Sequence, residues 1–416
     1  MAQATAAPAP AEETTNAVPA YPLLTLADGV PPVIESTHAL RGVVAGFAAG
    51  TGPVAIDAER ASGYRYGQRC YLVQLRRAGA GSALIDPLGC PDLTSLDEAL
   101  ADAEWVLHAA NQDLPCLGEL GLRPRRLFDT EVAARLAGYE RVGLATMVEV
   151  VLGHRLDKGS SSADWSQRPL TPVMLRYAAL DVEPLVALRD HLEAELTAQG
   201  KIEWAREEFA AIAAAPPAPS RSEPWRRTSG MHRIRKSRQM AGVRAMWELR
   251  DDIARKRDIA PGRILPDTAI VEAVLKSPGS PEELAEIPPF NGRSLRRQVG
   301  VWHAALDSAA RLADHELPTT GGTSDGGPPP AHRWAERDPV AAGRLTRCRA
   351  ATATLAEAHA LPAENLLEPA VLRRLAWQPP AEVSPESVAD ALRDHGARQW
   401  QVGLTAAVLA VALIDP

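Results

Sequence analysis

The sequence has only four cysteines, and they include no C-x-x-C pair and none at zinc-ligand spacing from a histidine. A disulfide framework and a thiolate metal site are therefore excluded, and the composition fits a reducing, cytoplasmic compartment. An apolar stretch near the C-terminus, residues 402–414, is shorter than the ~20 residues that a membrane span needs, so it predicts a buried final helix. An excess of basic charge is absent too, because 45 Lys and Arg face 52 Asp and Glu. Any basic surface must therefore be local.

A chain of 416 residues is too long for one ordinary core. Two stretches rich in proline, glycine and small residues, 213–222 and 319–331, are typical of linkers. The start of the chain contains no Lys or Arg before residue 36, which argues against a secretory signal. The predicted segments are a disordered Ala/Pro-rich tail (1–35), a first domain (36–212), a linker (213–230), a helical domain (231–313), a Gly/Pro linker (314–333) and a second helical domain (334–416).

Short apolar runs of strand length alternate with helical patterns in the first domain. The predicted strands cover 54–59, 70–75, 83–86 and 105–110, and the predicted helices lie around 131–136, 144–152 and 172–196. Only turn-like gaps separate the first three strands. The pattern predicts an antiparallel meander that leads into a mixed sheet covered by helices.

The two helical domains look like copies of each other. A shift of 101 residues aligns five positions: Pro261 with Pro362, Leu265 with Leu366, Ile270 with Val371, Val274 with Leu375, and Pro278 with Pro379. The tryptophans Trp302 and Trp400 are offset by 98 residues. Chance alignment of Ala- and Leu-rich helices is the alternative, but two prolines in register favour a duplication. Each copy is predicted to be a small all-helical bundle.

An acidic pair lies inside the first predicted strand, VAIDAER (54–60). Strand alternation places Asp57 and Glu59 on one face, where two carboxylates repel each other and resist burial. A divalent cation such as Mg²⁺ or Mn²⁺ would remove both obstacles, because it prefers hard oxygen ligands. A strand with one solvated acidic face is the alternative.

Two further carboxylates occupy notable positions. Asp113 follows an apolar run in WVLHAANQDL (105–114), where an N-cap at Asn111 and a first-turn acid explain the pattern equally well. In TPVMLRYAALD (171–181), Asp181 falls on the apolar stripe of a helix and Tyr177 lies one turn before it. Such a carboxylate needs a metal or a hydrogen-bonding partner. Pro184 predicts a kink or restart of the helix just past Asp181.

Together these segments give D-x-E, N-x-D and Y-x-x-x-D in chain order, which resembles the DEDD superfamily of 3′–5′ exonucleases in its tyrosine-containing subclass. The segment DKGSSSADWSQRPLTPVMLRYAALDV (157–182) is similar to the one that leads into the third motif of ribonuclease D. The first helical domain (231–313) resembles the helicase-and-ribonuclease-D C-terminal (HRDC) module, and the second (334–416) resembles a degenerate copy of it. The resemblance implies an α/β exonuclease domain, a ribonuclease H-like mixed sheet flanked by helices, followed by two small all-α helical bundles.

The resemblance also implies an active site. The acids that would bind two divalent cations, Mg²⁺ or Mn²⁺, are Asp57, Glu59, Asp113 and Asp181. Tyr177 would hold the attacking water, and the ions would serve the attacking and leaving oxygens. The sequence departs from the usual pattern at Ala58, Arg60 and Gln112, and none of these departures removes a ligand. We interpret His108 as a core or supporting histidine and not as a base.

Two regions are predicted to contact the nucleic acid. In the Ser-rich loop (157–170) the candidates are Lys158, Trp165 and Arg168, with simple packing of Trp165 as the alternative. The stretch 226–257 holds eleven basic residues against three acidic ones, which suits phosphate contacts; the candidates there are Arg233, Arg235, Lys236 and Arg238. A solvated helix face with a flexible arm is the alternative. The second helical domain, with eight basic and ten acidic residues, is expected to bind phosphates weakly.

These features predict a metal-dependent 3′–5′ exoribonuclease that acts on single-stranded 3′ ends of structured RNAs and releases nucleoside 5′-monophosphates. Precursors of tRNA are the substrate that the resemblance implies, and a monomer without membrane attachment is expected. A DNA exonuclease of the proofreading or Werner type is one alternative, because only the 2′-hydroxyl distinguishes the two sugars. A non-catalytic nucleic-acid-binding protein of the same fold is another, although all five site positions are filled.

Overall fold

The structure is a computed structural model that describes residues 21–157, 159, 162–217, 222–319 and 327–414. The buried apolar side chains form clusters that define three bodies along the chain. The first body is a mixed sheet flanked by helices, and the other two are helical. The predicted fold class is therefore confirmed.

A six-stranded sheet lies at the centre of the first body. Its strands are β1 (Val33–Ile34), β2 (Thr51–Arg60), β3 (Cys70–Ala78), β4 (Gly81–Ile85), β5 (Glu104–Leu107) and β6 (Arg126–Asp129). Their spatial order is β1-β4-β3-β2-β5-β6. Strands β2, β3 and β4 form the predicted antiparallel meander, while the other neighbours pair in parallel. The strand predicted over 105–110 ends at Leu107, and the short strands β1 and β6 had not been predicted.

Eight helices cover this sheet. They are α1 (Thr37–Ala49), α2 (Thr94–Ala99), α3 (Leu114–Glu119), α4 (Thr130–Ala137), α5 (Leu144–Leu152), α6 (Pro172–Val182), α7 (Leu185–Ala198) and α8 (Ile202–Ala214). Local signals set the start of α6, since the Thr171 hydroxyl accepts the N–H of Met174 at 3.3 Å. The break between α6 and α7 falls at Pro184, as predicted. Asp181 therefore stands beside the end of α6.

The disordered tail predicted for 1–35 does not extend that far. Residues 21–35 lie against the first body, where Val33 and Ile34 pair with Leu84 and Ile85 of β4. The Leu24 N–H also donates to the Arg155 carbonyl at 2.9 Å. The reason is that this half of the segment carries large apolar side chains, of which Leu24, Leu26, Val33 and Ile34 are partly buried against the first body. Residues 1–20 lie outside the described residues.

The second body contains α9 (Ser237–Arg257), α10 (Pro261–Ile264), α11 (Asp267–Lys276), α12 (Pro281–Glu286), α13 (Arg293–Arg296) and α14 (Val299–Ala310). It begins earlier than the predicted boundary at residue 231. Trp225 is only 3% exposed and belongs to the same apolar cluster as Ile234 and Met240. The stretch after residue 222 is therefore part of this body, because its one large aromatic side chain is buried there.

The third body contains α15 (Trp334–Arg337), α16 (Pro339–Ala358), α17 (Ala363–Leu366), α18 (Pro369–Trp377), α19 (Pro385–Asp394) and α20 (Gln399–Ile414). Helices α16 to α18 repeat the order of α9 to α11: a long helix, a single turn and a helix of nine or ten residues. The aligned leucines Leu265 and Leu366 are both fully buried. In the described part of the chain, no helix combines the length and apolarity required to cross a bilayer.

The second body is attached to the loop between β2 and β3, residues 61–69, which we call the hairpin loop. Arg263 Nε donates to the Gly63 carbonyl at 2.7 Å, and its guanidinium lies 4.0 Å from the centre of the Tyr64 ring. The Tyr66 hydroxyl donates to both carboxylate oxygens of Asp251 at 3.0–3.1 Å. The second body therefore contacts the chain directly after the acidic strand β2.

The third body is attached to α8 through aromatic side chains. Trp400 stacks on Trp204 with ring centres 5.1 Å apart and an angle of 12° between the planes. The Trp400 indole donates to Glu208 at 2.9 Å, and His359 lies edge-on to Trp204 at 5.6 Å. The apolar cluster of the first body therefore continues into the third body.

We expect Trp400→Ala to lower the free energy of unfolding by about 3 kcal/mol, because it removes a buried indole and leaves a cavity. The third body should also be cut more rapidly by protease once its stacking contact with α8 is lost. Urea denaturation and limited proteolysis measure the two effects. Val411→Ala is the matched control on the same helix, since Val411 is 66% exposed and its truncation should change stability by less than about 0.5 kcal/mol. Equal unfolding curves for the Trp400 variant and wild type would contradict the interface described here.

Candidate active site

Three of the predicted acids meet at one place. One carboxylate oxygen of each of Asp57, Glu59 and Asp181 lies within 4.8 Å of the corresponding oxygens of the other two. Asp57 and Glu59 alternate along β2, and α6 packs against β2 and β3, which brings Asp181 to them. Such a group of hard oxygen atoms fits Mg²⁺ or Mn²⁺.

The fourth acid, Asp113, lies next to this group. Its carboxylate adjoins that of Asp57, and its side chain is 9% exposed. Arg60 Nη2 lies 3.6 Å from the Asp113 carboxylate. Asp113 is not one of the three acids whose oxygens all lie within mutual reach. The predicted cluster is therefore a group of three acids with Asp113 beside Asp57.

A buried acid that the sequence analysis did not single out holds the turn before Asp113. The Asp129 carboxylate accepts the N–H groups of Ala109 at 3.1 Å and Ala110 at 2.8 Å. It also caps α4 by accepting the N–H of Glu131 at 2.9 Å. Ala109 has φ +61°, the left-handed region that non-glycine residues rarely adopt. This turn ends β5 early and directs Asp113 towards β2; the sequence signal was an aspartate at a strand-to-helix junction.

A second residue missed in the sequence is Gln74, which pairs with Asp57 across the β2–β3 ladder. Its side chain is fully buried. When the Gln74 amide is oriented with its nitrogen towards the backbone carbonyls of Asp57 and Leu72, this nitrogen donates to the Asp57 carbonyl at 2.8 Å. A buried amide that is hydrogen-bonded in this way fixes the backbone at the first acid of the cluster.

Tyr177 is packed between the Ser-rich loop and the acids. Its hydroxyl lies close to the Asp181 carboxylate, one turn later on α6. A Cβ atom at Gly159 would lie 2.2 Å from Tyr177 Cδ2, so only glycine fits against this ring. Trp165 is fully buried, with its ring centre 6.3 Å from that of Tyr177. The loop therefore holds the tyrosine in place.

Burial raises the pKa of all four acids. For Asp57, Asp113 and Asp181 the loss of water is the main cause. Burial, followed by repulsion from Asp57 and Asp181, raises the pKa of Glu59 to about 10. Arg60 opposes these shifts at Asp57, Glu59 and Asp113. Without a cation the cluster therefore retains protons that a metal would displace.

Burial, and then the negative charges of Asp181, Glu59 and Asp57, raise the pKa of Tyr177. His108 has the opposite response, because burial lowers its pKa to about 4. A His108 ring nitrogen lies 2.9 Å from the Thr130 hydroxyl. A neutral, hydrogen-bonded histidine agrees with the interpretation of His108 as a supporting residue.

The acids line a cleft of about 480 Å³, within the size range of small-molecule sites. Its wall also includes Arg60, Gln112, Asp157 and Gly159. Asp157 and Gly159 belong to the Ser-rich loop, so this loop and strand β2 both line the cleft.

The predicted RNA-contacting residues of the Ser-rich loop have internal partners where they are described. Arg168 donates to both carboxylate oxygens of Asp86, at 2.6 and 2.8 Å, and to the Tyr71 carbonyl at 2.8 Å. Trp165 is covered completely. Packing accounts for these two side chains without RNA, and Lys158 lies outside the described residues.

Fewer basic residues of the stretch 226–257 are free to bind phosphates than its charge suggests, because several have partners within the protein. Arg233 pairs with Glu272 at 2.7 Å, and Arg238 donates to the Ala310 carbonyl at 3.0 Å. Arg250 is buried, and it and Arg226 also have acidic partners. Three of the predicted contacts, Arg233, Arg235 and Lys236, are exposed.

Removal of metal should lower the thermal midpoint by an amount that grows with pH. Because the folded-state pKa values of the cluster lie above those of the unfolded chain, protonation stabilises the metal-free fold below about pH 4, and this contribution is lost as pH rises. Mn²⁺ replaces those protons, so the difference in thermal midpoint between protein in Mn²⁺ and protein in EDTA should be small at about pH 5 and large at about pH 8. Thermal melts at both pH values measure it.

Asp181→Asn is the control for this experiment. It should raise the midpoint of the metal-free protein at about pH 8, since one repelling charge is gone, and should remove most of the Mn²⁺ effect. A Mn²⁺-induced shift that is the same at both pH values would contradict the assignment of protons to this cluster.

Three family models match the chain in separate segments. Residues 33–197 match a model described as 3′–5′ exonuclease, residues 239–306 match the HRDC domain, and residues 327–413 match a model described as 3′ to 5′ exonuclease C-terminal domain. These segments fall on the three bodies of the structure.

Individual proteins extend the similarity over most of the chain. Ribonuclease D of Acidiphilium cryptum (strain JF-5) is 33% identical over 315 residues, 72% of this chain and 78% of that protein. A crystal structure of a protein from Bifidobacterium adolescentis is 37% identical, with a TM-score of 0.84 over 94% of this chain and 99% of that one. Escherichia coli RNase D, described as an exoribonuclease involved in structured RNA processing, is 27% identical, with a TM-score of 0.65 over 87% of this chain and 97% of its own.

Proposed function

We propose, since this chain belongs to the ribonuclease D family and is a 3′–5′ exoribonuclease, that it trims the unpaired 3′ ends of structured RNAs such as tRNA precursors. The observation that carries this proposal is the approach of Asp57, Glu59 and Asp181 to within 4.8 Å in one cleft. The relative from Escherichia coli, described as processing structured RNA, supports the substrate class.

The exonuclease family uses two divalent metal ions, and the partly buried, mutually repelling acids of this cleft fit such ions. The residues that we propose as ligands are Asp57, Glu59, Asp113 and Asp181. When bound, the ions supply an activated water and stabilise the leaving 3′ oxygen. Hydrolysis at this site would release a nucleoside 5′-monophosphate.

Tyr177 is proposed to hold the attacking water. Its hydroxyl lies beside Asp181, and its raised pKa keeps it protonated as a hydrogen-bond donor at neutral pH. The packing of Gly159 against its ring limits the positions that this hydroxyl can take. A catalytic donor needs such restraint, because a displaced group loses most of its effect.

We interpret the domains as an exonuclease domain (21–214), an HRDC domain (222–319) and a diverged second HRDC-like copy (327–414). The matching order of α9 to α11 and α16 to α18 supports the last assignment. We also propose that the chain acts as a monomer in the cytoplasm. Its four cysteines are free, and its bodies bury their aromatic attachment residues against one another.

Single-stranded RNA with a free 3′ hydroxyl should be shortened one nucleotide at a time in Mn²⁺ and remain intact in EDTA. RNA with a blocked 3′ end should resist digestion, because the cleft receives a chain terminus. Denaturing gels of 5′-labelled RNA measure this, with DNA of the same sequence as the test of sugar preference. Asp57→Asn, which removes one proposed ligand, is the inactive control. Digestion of the blocked RNA, or faster digestion of DNA, would refute the proposal.

Tyr177→Phe should lower kcat by about 10²-fold or more and leave the Mn²⁺ affinity close to that of wild type, because it removes a hydroxyl that orients water and no ligand. Steady-state kinetics and calorimetric Mn²⁺ titration separate the two quantities. Tyr139→Phe is a matched control, because Tyr139 does not line the cleft. Its hydroxyl donates to Glu195 at 2.8 Å. An unchanged kcat in the Tyr177 variant would exclude its role in placing water.

A further inference from the structure

Arg60 faces the acidic cluster although its position in the strand predicts the opposite direction. It follows Glu59 at the end of β2, and strict alternation would turn it away from the face of Asp57 and Glu59. The β2–β3 register shifts by one residue between the Glu59–Leu72 and Arg60–Cys70 pairs. Such irregularities redirect side chains and often adjoin active sites. As a result, Arg60 lines the cleft and lies 3.6 Å from Asp113.

The guanidinium of Arg60 is held weakly compared with that of Arg168. Arg168 has all of its nitrogens engaged by protein oxygens, whereas no hydrogen bond from the Arg60 side chain is formed with any described residue. The 3.6 Å contact with Asp113 is a charge contact only, and the Arg60 side chain is 27% exposed. Its five N–H donors therefore remain available to a ligand in the cleft.

Arg60 also supplies the positive charge of the cleft. Among the described residues of its wall, it is the only lysine or arginine, and the other titratable groups facing it are the four acids, Asp157, His108 and Tyr177. Its charge acts on Asp57, Glu59 and Asp113 together. It thus partly offsets the repulsion that the cluster has in the absence of a cation.

We propose that Arg60 pairs with Asp113 while the cluster lacks metal and binds a phosphate of the 3′-terminal nucleotides once cations neutralise the acids. This inference rests on the proposed function and adds a substrate-binding residue to it. Cations at the cluster weaken the attraction between Arg60 and Asp113, and an incoming phosphate offers a planar guanidinium two acceptor oxygens. Binding of metal and binding of RNA are thereby linked through one side chain.

This exchange of Arg60 between Asp113 and a phosphate predicts opposite effects on the affinities for Mn²⁺ and for RNA. Arg60→Gln removes a charge that repels cations, so Mn²⁺ should bind about threefold to tenfold more tightly. The same change removes the phosphate contact, so the KM for single-stranded RNA should rise roughly tenfold, with a smaller change in kcat. A residue that merely supports the cleft would weaken both affinities when substituted.

The experiment uses the full chain and three variants. Calorimetric titration of Mn²⁺ without RNA gives the metal affinity, and steady-state kinetics in saturating Mn²⁺ gives KM and kcat. Arg60→Lys keeps the charge and loses the planar fork, so it should retain the wild-type Mn²⁺ affinity and show an intermediate KM. Arg41→Gln makes the same change in net charge on α1, outside the cleft, and should match wild type in both measurements.

The outcomes separate this inference from the proposed function. If wild type binds no Mn²⁺, the proposed metal site itself is wrong. If wild type binds Mn²⁺ but Arg60→Gln leaves the Mn²⁺ affinity unchanged, or weakens it together with RNA binding, the exchange by Arg60 is refuted. Tighter Mn²⁺ binding with a raised KM supports it.

Discussion

Mutual repulsion among carboxylates crowded into one cleft is the constraint on which the rest of this structure depends. Four acids from β2, the turn after β5 and α6 line this cleft, three of them partly buried and Asp113 buried, and the loss of water raises the pKa of each. An arrangement of this kind opposes folding unless the surroundings fix it and a cation completes it. The most unfavourable part of the fold is thus the part that we propose performs the chemistry.

The surrounding residues fix the acidic cluster through contacts with the backbone, and we assign these residues no part in catalysis. Asp129 holds the left-handed turn at Ala109, and Gln74 holds the Asp57 backbone. On the other side, Tyr64 of the hairpin loop donates to the Ser162 carbonyl at 3.0 Å. The hairpin loop therefore contacts both the second body and the loop that packs against Tyr177 of α6.

The parts of the site that could be predicted are those that depend on local pattern. Alternation places Asp57 and Glu59 on one face, and helix periodicity with Pro184 places Asp181 near the end of α6. The direction of Arg60 and the role of Asp129 could not be predicted, since they depend on a register shift and on a turn stabilised from another strand. The internal contacts of the basic stretch could not be predicted for the same reason: Arg238 donates to a carbonyl 72 residues away, which no local window reveals.

The stack of Trp204 on Trp400 has a consequence for truncation of the chain. Helix α8 is the last helix of the first body, and its partly buried Trp204 is covered by Trp400 and His359 of the third body. A chain shortened before residue 327 would keep every acid of the cleft while exposing this apolar indole surface, which favours self-association. The C-terminal segment would then contribute to the solubility of the first body through this contact.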